Sequence, residues 1–376
     1  MPSSTEQART APLVLVAAGG TGGHLFPAQA LAEALARRGI IVDLATDHRA
    51  EHYGDKFPGR NIHIIASETL RGRGPFSLAR TVVKLGIGTT QAWLLLGRTK
   101  PAAVVGFGGY PTIPPVMAAT LRNIPTMIHE QNAVMGRANR LLASRVSAIA
   151  TSFAGVLEQN PALNAKATRT GNPVRAMVVA AAAAPYRSPA SANVFQLLVF
   201  GGSQGARIMA DVVPMAVRRL DALLRGRLKV VQQAREEDVA RVRQVYAQAE
   251  VAAEVAPFFG DLPARIAAAH LVIARSGAST VAELSAIGRP AILVPLPHSL
   301  DQDQSANAAV LEHARGAVRI EQKEFTPEWL AREIHTLASA AEKLVAMAAA
   351  ARSQGVIDAA ERLADLVFEV TSKARQ

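Results

Sequence analysis

The chain has 376 residues, 49% of them apolar and 19% charged, with a net charge of +11 and no cysteine. That length exceeds what one hydrophobic core usually fills, so two domains are expected, and the composition excludes a disordered protein. Zero cysteines exclude disulfides, thiolate nucleophiles and Cys-based zinc sites.

The opening ten residues, MPSSTEQART, carry an acid and no apolar core, so no signal peptide is expected. The most apolar stretch, 101–121, is interrupted by prolines and glycines, and no membrane-spanning helix is expected. In the first half, short apolar runs at Leu13–Ala18, Ile40–Ala45, Ile62–Ile65, Ala102–Gly106, Thr126–His129 and Ala148–Ala150 alternate with helical patterns. In the second half the runs are Gln196–Phe200, Leu228–Val231, Val251–Val255, Leu271–Ala274, Ala291–Val294 and Ala317–Ile320. Strands alternating with helices predict parallel sheets. The expected organisation is an N-terminal Rossmann-like domain over 1–175, a linker over 176–193 and a C-terminal Rossmann-like domain over 194–352. A final helix over 353–376 is expected to pack back on the first domain. Open α/β sheets bind ligands beyond the carboxyl ends of their strands, so the chemistry is expected in a cleft between the domains.

A glycine-rich turn follows the first strand of each half: Gly19-Gly20-Thr21-Gly22-Gly23-His24, with a helix expected from about Leu25 to a stop at Gly39, and Gly201-Gly202-Ser203-Gln204-Gly205-Ala206-Arg207. Glycine lets a ligand approach the backbone, and a following helix start offers N–H groups and partial positive charge to a phosphate. Neither turn is a P-loop, since Gly-Lys-Ser/Thr is missing. A third such element, Gly106-Phe107-Gly108-Gly109-Tyr110-Pro111, suits a diphosphate, with Gly108, Gly109 and Tyr110 as its candidates.

From Thr69 to Leu157 there are ten Lys/Arg against one acid, Glu130, so this segment supplies +9 of the net charge. Within it Arg71, Arg73, Phe76 and Lys84 interleave with Leu78, Val82, Val83, Ile87 and Trp93. That mixture suits an anionic membrane surface; an ordinary amphipathic helix with a solvated basic face explains it as well. No nucleic-acid-binding motif accompanies the charge.

Two polar constellations fall at strand ends. His129-Glu130-Gln131-Asn132 holds the only acid of the basic segment, and Arg275-Ser276-Gly277-Ala278-Ser279-Thr280-Val281-Ala282-Glu283 places helix-capping hydroxyls ahead of an acid able to accept two sugar hydroxyls. Histidine is the side chain suited to proton transfer near neutral pH, which makes His24 the favoured general base, with Glu130 as the alternative.

Together with Gly171-Asn172-Pro173-Val174-Arg175, these motifs resemble the bacterial N-acetylglucosaminyltransferase family of peptidoglycan synthesis, the undecaprenyldiphospho-muramoylpentapeptide β-N-acetylglucosaminyltransferases. The resemblance runs from about Leu13 to the C-terminal helices. It implies a GT-B fold and inverting transfer of N-acetylglucosamine from UDP-N-acetylglucosamine to the C4 hydroxyl of the muramoyl group of lipid I. It implies no cofactor and no metal, and a peripheral location on the cytoplasmic face of the inner membrane beside other cell-wall synthesis and division proteins.

Carried over residue by residue, it puts Thr21, Gly22 and Gly23 near the reacting sugar and diphosphate, Asn132 on the donor sugar, and Arg175 and Ser203 on the donor phosphates. Ala278, Ser279, Thr280, Val281, Ala282 and Glu283 fall on phosphate and ribose, Phe259 on uracil, and Gln304 on the sugar. Two departures stand out. Lys229–Arg235 lacks the family's His-Gln-Ser/Thr-Gly, and Asp301-Gln302-Asp303 spells Asp-x-Asp, read here as loop and cap residues rather than a metal site. Other readings remain open: a dehydrogenase, disfavoured by the glycine spacing; a nucleotide-sugar epimerase of related fold; and a donor-binding regulator.

Overall fold

The structure, a computed structural model, describes residues 11–19, 22–48, 57–68, 75–189, 194–202, 205–297, 299 and 302–373, with the backbone alone at 75–78. It divides into two units, Met1–Arg175 with Asp358–Gln376, and Ala176–Ile357.

In the first unit the elements run β1 (Leu13–Ala17), α1 (Gly22–Arg37), β2 (Ile41–Thr46), β3 (Ile62–Ile64), α2 (Pro75–Thr99), β4 (Ala103–Gly106), α3 (Ile113–Leu121), β5 (Thr126–Glu130), α4 (Arg137–Leu142), β6 (Ala148–Thr151), α5 (Pro161–Asn164) and β7 (Ala167–Arg169). The strands form one sheet in the order β3-β2-β1-β4-β5-β6-β7, with every pairing parallel. All five residues of β1 are buried because both faces of the sheet are covered. Val14 and Val16 point into the core shared with α1, while Leu15 and Ala17 point into the one shared with α2 and α3. Gly39, at φ +75°, closes α1: Gly39 N donates to Ala36 O and Ile40 N to Leu35 O, the paired bonds of a glycine helix stop.

The second unit repeats the plan. Its elements are α6 (Ala176–Ala182), β8 (Phe195–Phe200), α7 (Arg207–Arg218), α8 (Ala222–Arg227), β9 (Leu228–Gln233), α9 (Glu236–Gln248), β10 (Ala252–Ala256), α10 (Leu262–Ala268), β11 (Leu271–Ala274), α11 (Ala278–Ile287), β12 (Ala291–Leu293), α12 (Asp303–His313), β13 (Ala317–Arg319), α13 (Pro327–Ala338) and α14 (Ala341–Ser353). The parallel order β10-β9-β8-β11-β12-β13 is again the doubly wound one, with the first strand central and the order reversing beside it.

The chain then returns to the first unit as α15 (Ala359–Lys373). Leu363, Ala364 and Val367 join the core on the α1 side of the sheet. Arg37 and Arg38, in the last turn of α1 and just past it, bond Glu361 at 2.6 Å each, and Arg38 also reaches Asp365 at 2.6 Å.

Three details depart from the sequence reading. The stretch expected as a linker begins with a helix, α6, whose Val178 and Ala182 are buried and which packs on α10 and α11. Its alanine run, uninformative as composition, is the best helix former available. Strand β7 was not anticipated, being three residues long, outermost and largely exposed. Helix α1 begins at Gly22 rather than near Leu25 and carries Pro27 inside it, which leaves the Gly23 carbonyl without the usual i+4 donor.

Candidate active site

In the first unit, the carboxyl ends of β1, β4 and β5 bring together three of the motifs singled out above. Gly108 and Gly109, beyond β4, both hold positive φ (+80° and +76°), and Thr112 Oγ1 donates to Gly108 O at 2.6 Å to fix the turn. His24, at the third position of α1, lays its partly exposed imidazole on this turn. A Cβ on Gly109 would lie 3.4 Å from His24 Cδ2, one on Gly108 3.4 Å from Cε1, and one on Gly19 3.2 Å from Cδ2. Glycine at all three positions is what allows the ring to sit flush against backbone. Gly22 is buried and Gly23 exposed at the start of α1. Thr21 lies outside the described residues.

His129 and Glu130 end β5 and are both buried. His129 Nε2 bonds Gly171 O at 2.9 Å, and burial lowers the imidazole to about 4, so it is neutral and donates from Nε2. Glu130 is not directed at solvent. Its Oε1 accepts from Asn132 N (2.9 Å) and Asn132 Nδ2 (3.2 Å), and its Oε2 from Gly136 N (2.9 Å) and Asn139 Nδ2 (2.8 Å). Burial pushes this carboxyl up, against the pull of those donors. The acid organises the loop between β5 and α4, and it fixes the backbone and side chain of Asn132.

Arg175, at the end of the first unit's main segment, stacks its guanidinium 4.4 Å above the Phe26 ring, and a Cβ on Gly22 would in turn lie 3.0 Å from that ring. Tyr110 opens a short 3₁₀ turn, Tyr110–Thr112, capped by Gly109.

In the second unit, Gly202 and Gly205 hold positive φ after β8, and Gly201 N donates to Gln233 Oε1 at 3.1 Å. Gln233 also donates to Pro257 O at 3.1 Å, so the end of β9, where the sequence departs from the family's pattern, braces the glycine turn. Ser203 lies outside the described residues. Arg275 is buried, and it donates to Val294 O (3.0 Å), Pro295 O (2.9 Å) and Gln322 Oε1. These bonds anchor the β11–α11 turn to the turns after β12 and β13.

Gly277 caps α11 without any side-chain bond to the helix, and the residues that carry its first N–H groups, Ala278, Ser279 and Thr280, are half-buried. Ser279 Oγ is buried and has no hydrogen-bond partner among the described residues. Val281 and Glu283 are buried further along the helix, with Ala282 between them. Gln304 is tied to the same turn: its backbone carbonyl accepts from Ser276 Oγ at 2.8 Å, and its Oε1 accepts from Leu296 N at 3.0 Å. Phe259 is buried under the Arg265 guanidinium, 4.3 Å from its ring. Asp303 Oδ1 accepts from Gln304 N at 2.8 Å as a helix-start residue; Asp301 lies outside the described residues.

Residues 75–99 of the basic segment form α2, which buries Thr81, Ala92, Leu95 and Leu96 and exposes Val82, Val83, Ile87 and Leu94. Lys84 and Arg80 pair with Glu68 at 3.2 and 3.0 Å, an acid just outside the segment that softens the positive face. Arg71, Arg73 and the side chain of Phe76 lie outside what is described. No helix among the described residues is long and apolar enough to cross a membrane.

Gln131 and Asn172, which the sequence motifs include without a role, and Asn139, which they do not include, are all buried polar residues at this end of the first sheet. Gln131 Nε2 donates to Phe107 O at 2.9 Å, which ties the β5 end to the β4 turn.

Two Rossmann-ordered sheets, each with its glycine turn after the first strand, make up the GT-B fold, the plan of one large class of nucleotide-sugar glycosyltransferases. Residues 14–151 match the glycosyltransferase family 28 N-terminal domain and residues 196–363 its C-terminal domain. The chain is 61% identical over 360 residues to a UDP-N-acetylglucosamine–N-acetylmuramyl-(pentapeptide) pyrophosphoryl-undecaprenol N-acetylglucosamine transferase of Rhodopseudomonas palustris strain BisB18, covering 96% of each chain. It is 59% identical over 361 residues to the protein of that name from Bradyrhizobium diazoefficiens, covering 96% of this chain and 99% of the relative. The crystal structure of Acinetobacter baumannii MurG superposes with a TM-score of 0.77 at 29% identity, over 95% of this chain and 99% of that one. The UDP-GlcNAc 2-epimerase of Neisseria meningitidis, at 13% identity and a TM-score of 0.66, shares the fold alone. The chain belongs to the family of these undecaprenol-linked N-acetylglucosamine transferases.

Proposed function

We propose that the chain transfers N-acetylglucosamine from UDP-N-acetylglucosamine to the C4 hydroxyl of undecaprenyl-diphospho-N-acetylmuramoyl-pentapeptide, giving lipid II and UDP. The observation that carries the reading is the His24 imidazole seated against Gly19, Gly108 and Gly109, where an acceptor can approach bare backbone. His24 takes the proton from the C4 hydroxyl as its oxygen bonds the anomeric carbon. The bond from that carbon to the UDP oxygen breaks in the same displacement, and the configuration inverts. The N-terminus of α11, which no side chain caps, offers N–H donors to the leaving diphosphate, with the Thr280 hydroxyl beside them, and the charge of that group grows in the transition state. Arg175 and Ser203 are assigned to the same phosphates, Glu283 to the ribose, Phe259 to the uracil, and Asn132 and Gln304 to the donor sugar.

Glu130 serves this reaction by holding Asn132 in place rather than as the base, because both its oxygens are already occupied by four donors. The exposed apolar residues of α2, flanked by Arg80, Lys84 and Arg98, suit contact with an anionic bilayer, which supports a peripheral place on the cytoplasmic face of the inner membrane.

The test is product analysis. Purified protein with UDP-N-acetylglucosamine and a short-chain lipid I analogue should give UDP and a disaccharide-linked product in equal amounts. Conversion of UDP-N-acetylglucosamine without the acceptor to UDP-N-acetylmannosamine, or with water to N-acetylmannosamine and UDP, would favour the epimerase reading instead.

A further inference from the structure

The space above Gly108 is lined by three side chains from three elements. A Cβ on Gly108 would meet His24 Cε1 at 3.4 Å, Asn139 Nδ2 at 3.5 Å and Gln131 Oε1 at 3.6 Å. With no Cβ at Gly108, a gap about the size of one methyl group is left among these three side chains. The orientation of both carboxamides is fixed by their partners. Gln131 Nε2 donates to a carbonyl, Phe107 O, and Asn139 Nδ2 donates to His129 O and Glu130 Oε2, so in each residue the remaining atom is the oxygen. Both residues are 2% exposed, and neither Gln131 Oε1 nor Asn139 Oδ1 has a hydrogen-bond partner among the described residues. A buried carbonyl oxygen without a donor is costly, and native proteins retain one where something else supplies the donor.

We propose that Gln131 is a positioning residue for the acceptor sugar, with its Oε1 accepting a hydrogen bond from a sugar hydroxyl that enters the niche over Gly108 beside His24. The chemistry selects the ligand. A lone carbonyl oxygen attracts an O–H donor and repels an anionic phosphate oxygen, so this niche takes the sugar rather than the diphosphate. On an acceptor that reacts through its C4 hydroxyl, the neighbouring hydroxyl free to donate is the one on C6. Gln131 holds that group while His24 works on its neighbour. The inference rests on the transferase reading above.

The experiment compares a short-chain lipid I analogue with its 6-deoxy counterpart, on wild type and on Gln131→Met. Wild type should show an acceptor KM about tenfold higher for the 6-deoxy analogue, equivalent to ~1.4 kcal/mol. Gln131→Met should show a similar rise with the normal acceptor, no further rise with the 6-deoxy analogue, and an unchanged KM for UDP-N-acetylglucosamine. A purely structural role for Gln131 would not make the two losses coincide. Equal KM values for both acceptors on wild type would overturn the proposal without any variant, and so would losses that multiply. An absence of acceptor-dependent turnover in wild type would remove both the transferase reading and this one, so the two failures are distinguishable.

Discussion

Asn139 donates from Nδ2 to Glu130 Oε2 at 2.8 Å, and so closes the loop between β5 and α4 over a buried carboxylate. Glu130 lies at the strand end where a catalytic acid or base is expected, yet its surroundings make it an organiser. Replacing it with alanine would remove a buried acceptor shared by four N–H donors, and this should cost about 3 kcal/mol or more. Urea unfolding of Glu130→Ala should show that loss along with lost activity. A variant with wild-type stability and abolished turnover would instead return Glu130 to the chemistry.

His129 predicts an acid-sensitive fold. Its imidazole is lowered to about 4 by burial, while in the unfolded chain it titrates near 6.5. Between those values the unfolded state binds a proton that the native state does not, so stability falls as the pH drops from about 6.5 to 4, by at most ~3 kcal/mol. His129→Gln keeps a donor for Gly171 O and should flatten that part of the stability–pH curve. An unchanged slope in the variant would contradict the assignment.

Arg289 carries the second unit's most demanding polar contacts. It is fully buried, bonds the carbonyls of Ala267, Ile287, Gly288, Ala184 and Pro185, and is lowered by burial to about 10, which still leaves it charged at neutral pH. Those carbonyls lie at or beyond the C-terminal ends of α6, α10 and α11, where a cation is favoured. Arg289→Met should therefore destabilise the protein by about 3 kcal/mol or more, read from denaturant midpoints. A change under about 1 kcal/mol would show that the carbonyls are satisfied without it.

The exposed stripe on α2 predicts lipid binding that can be separated from donor binding. Val83→Glu with Ile87→Glu should reduce cosedimentation with vesicles containing anionic phospholipid at least tenfold, given ~1.5–3 kcal/mol for burying each apolar side chain. Affinity for UDP-N-acetylglucosamine should be unchanged. Equal cosedimentation would count against α2 as the contact surface.

Much of the fold was legible because doubly wound sheets write plain signals. Buried strands such as β1 and β11 are unbroken apolar runs, and a glycine turn marks the first strand of each unit. Helix α6 was missed because its periodicity is weak, and β7 because an exposed three-residue edge strand has no apolar pattern to read. At the site, glycines and His24 were legible as motifs. The roles within the His-Glu-Gln-Asn run were not, since a carboxylate's partners depend on how the loop folds back. Asn139, nine residues beyond Glu130, supplies one of those partners, and only the tertiary structure brings the two together.

The most direct measurement is UDP release from UDP-N-acetylglucosamine with a short-chain lipid I analogue, comparing wild type with His24→Ala. The account predicts acceptor-dependent release by wild type and a fall of about 10²–10⁴-fold in the variant, the range for loss of a general base, with donor affinity retained. Undiminished acceptor-dependent turnover in His24→Ala would contradict it.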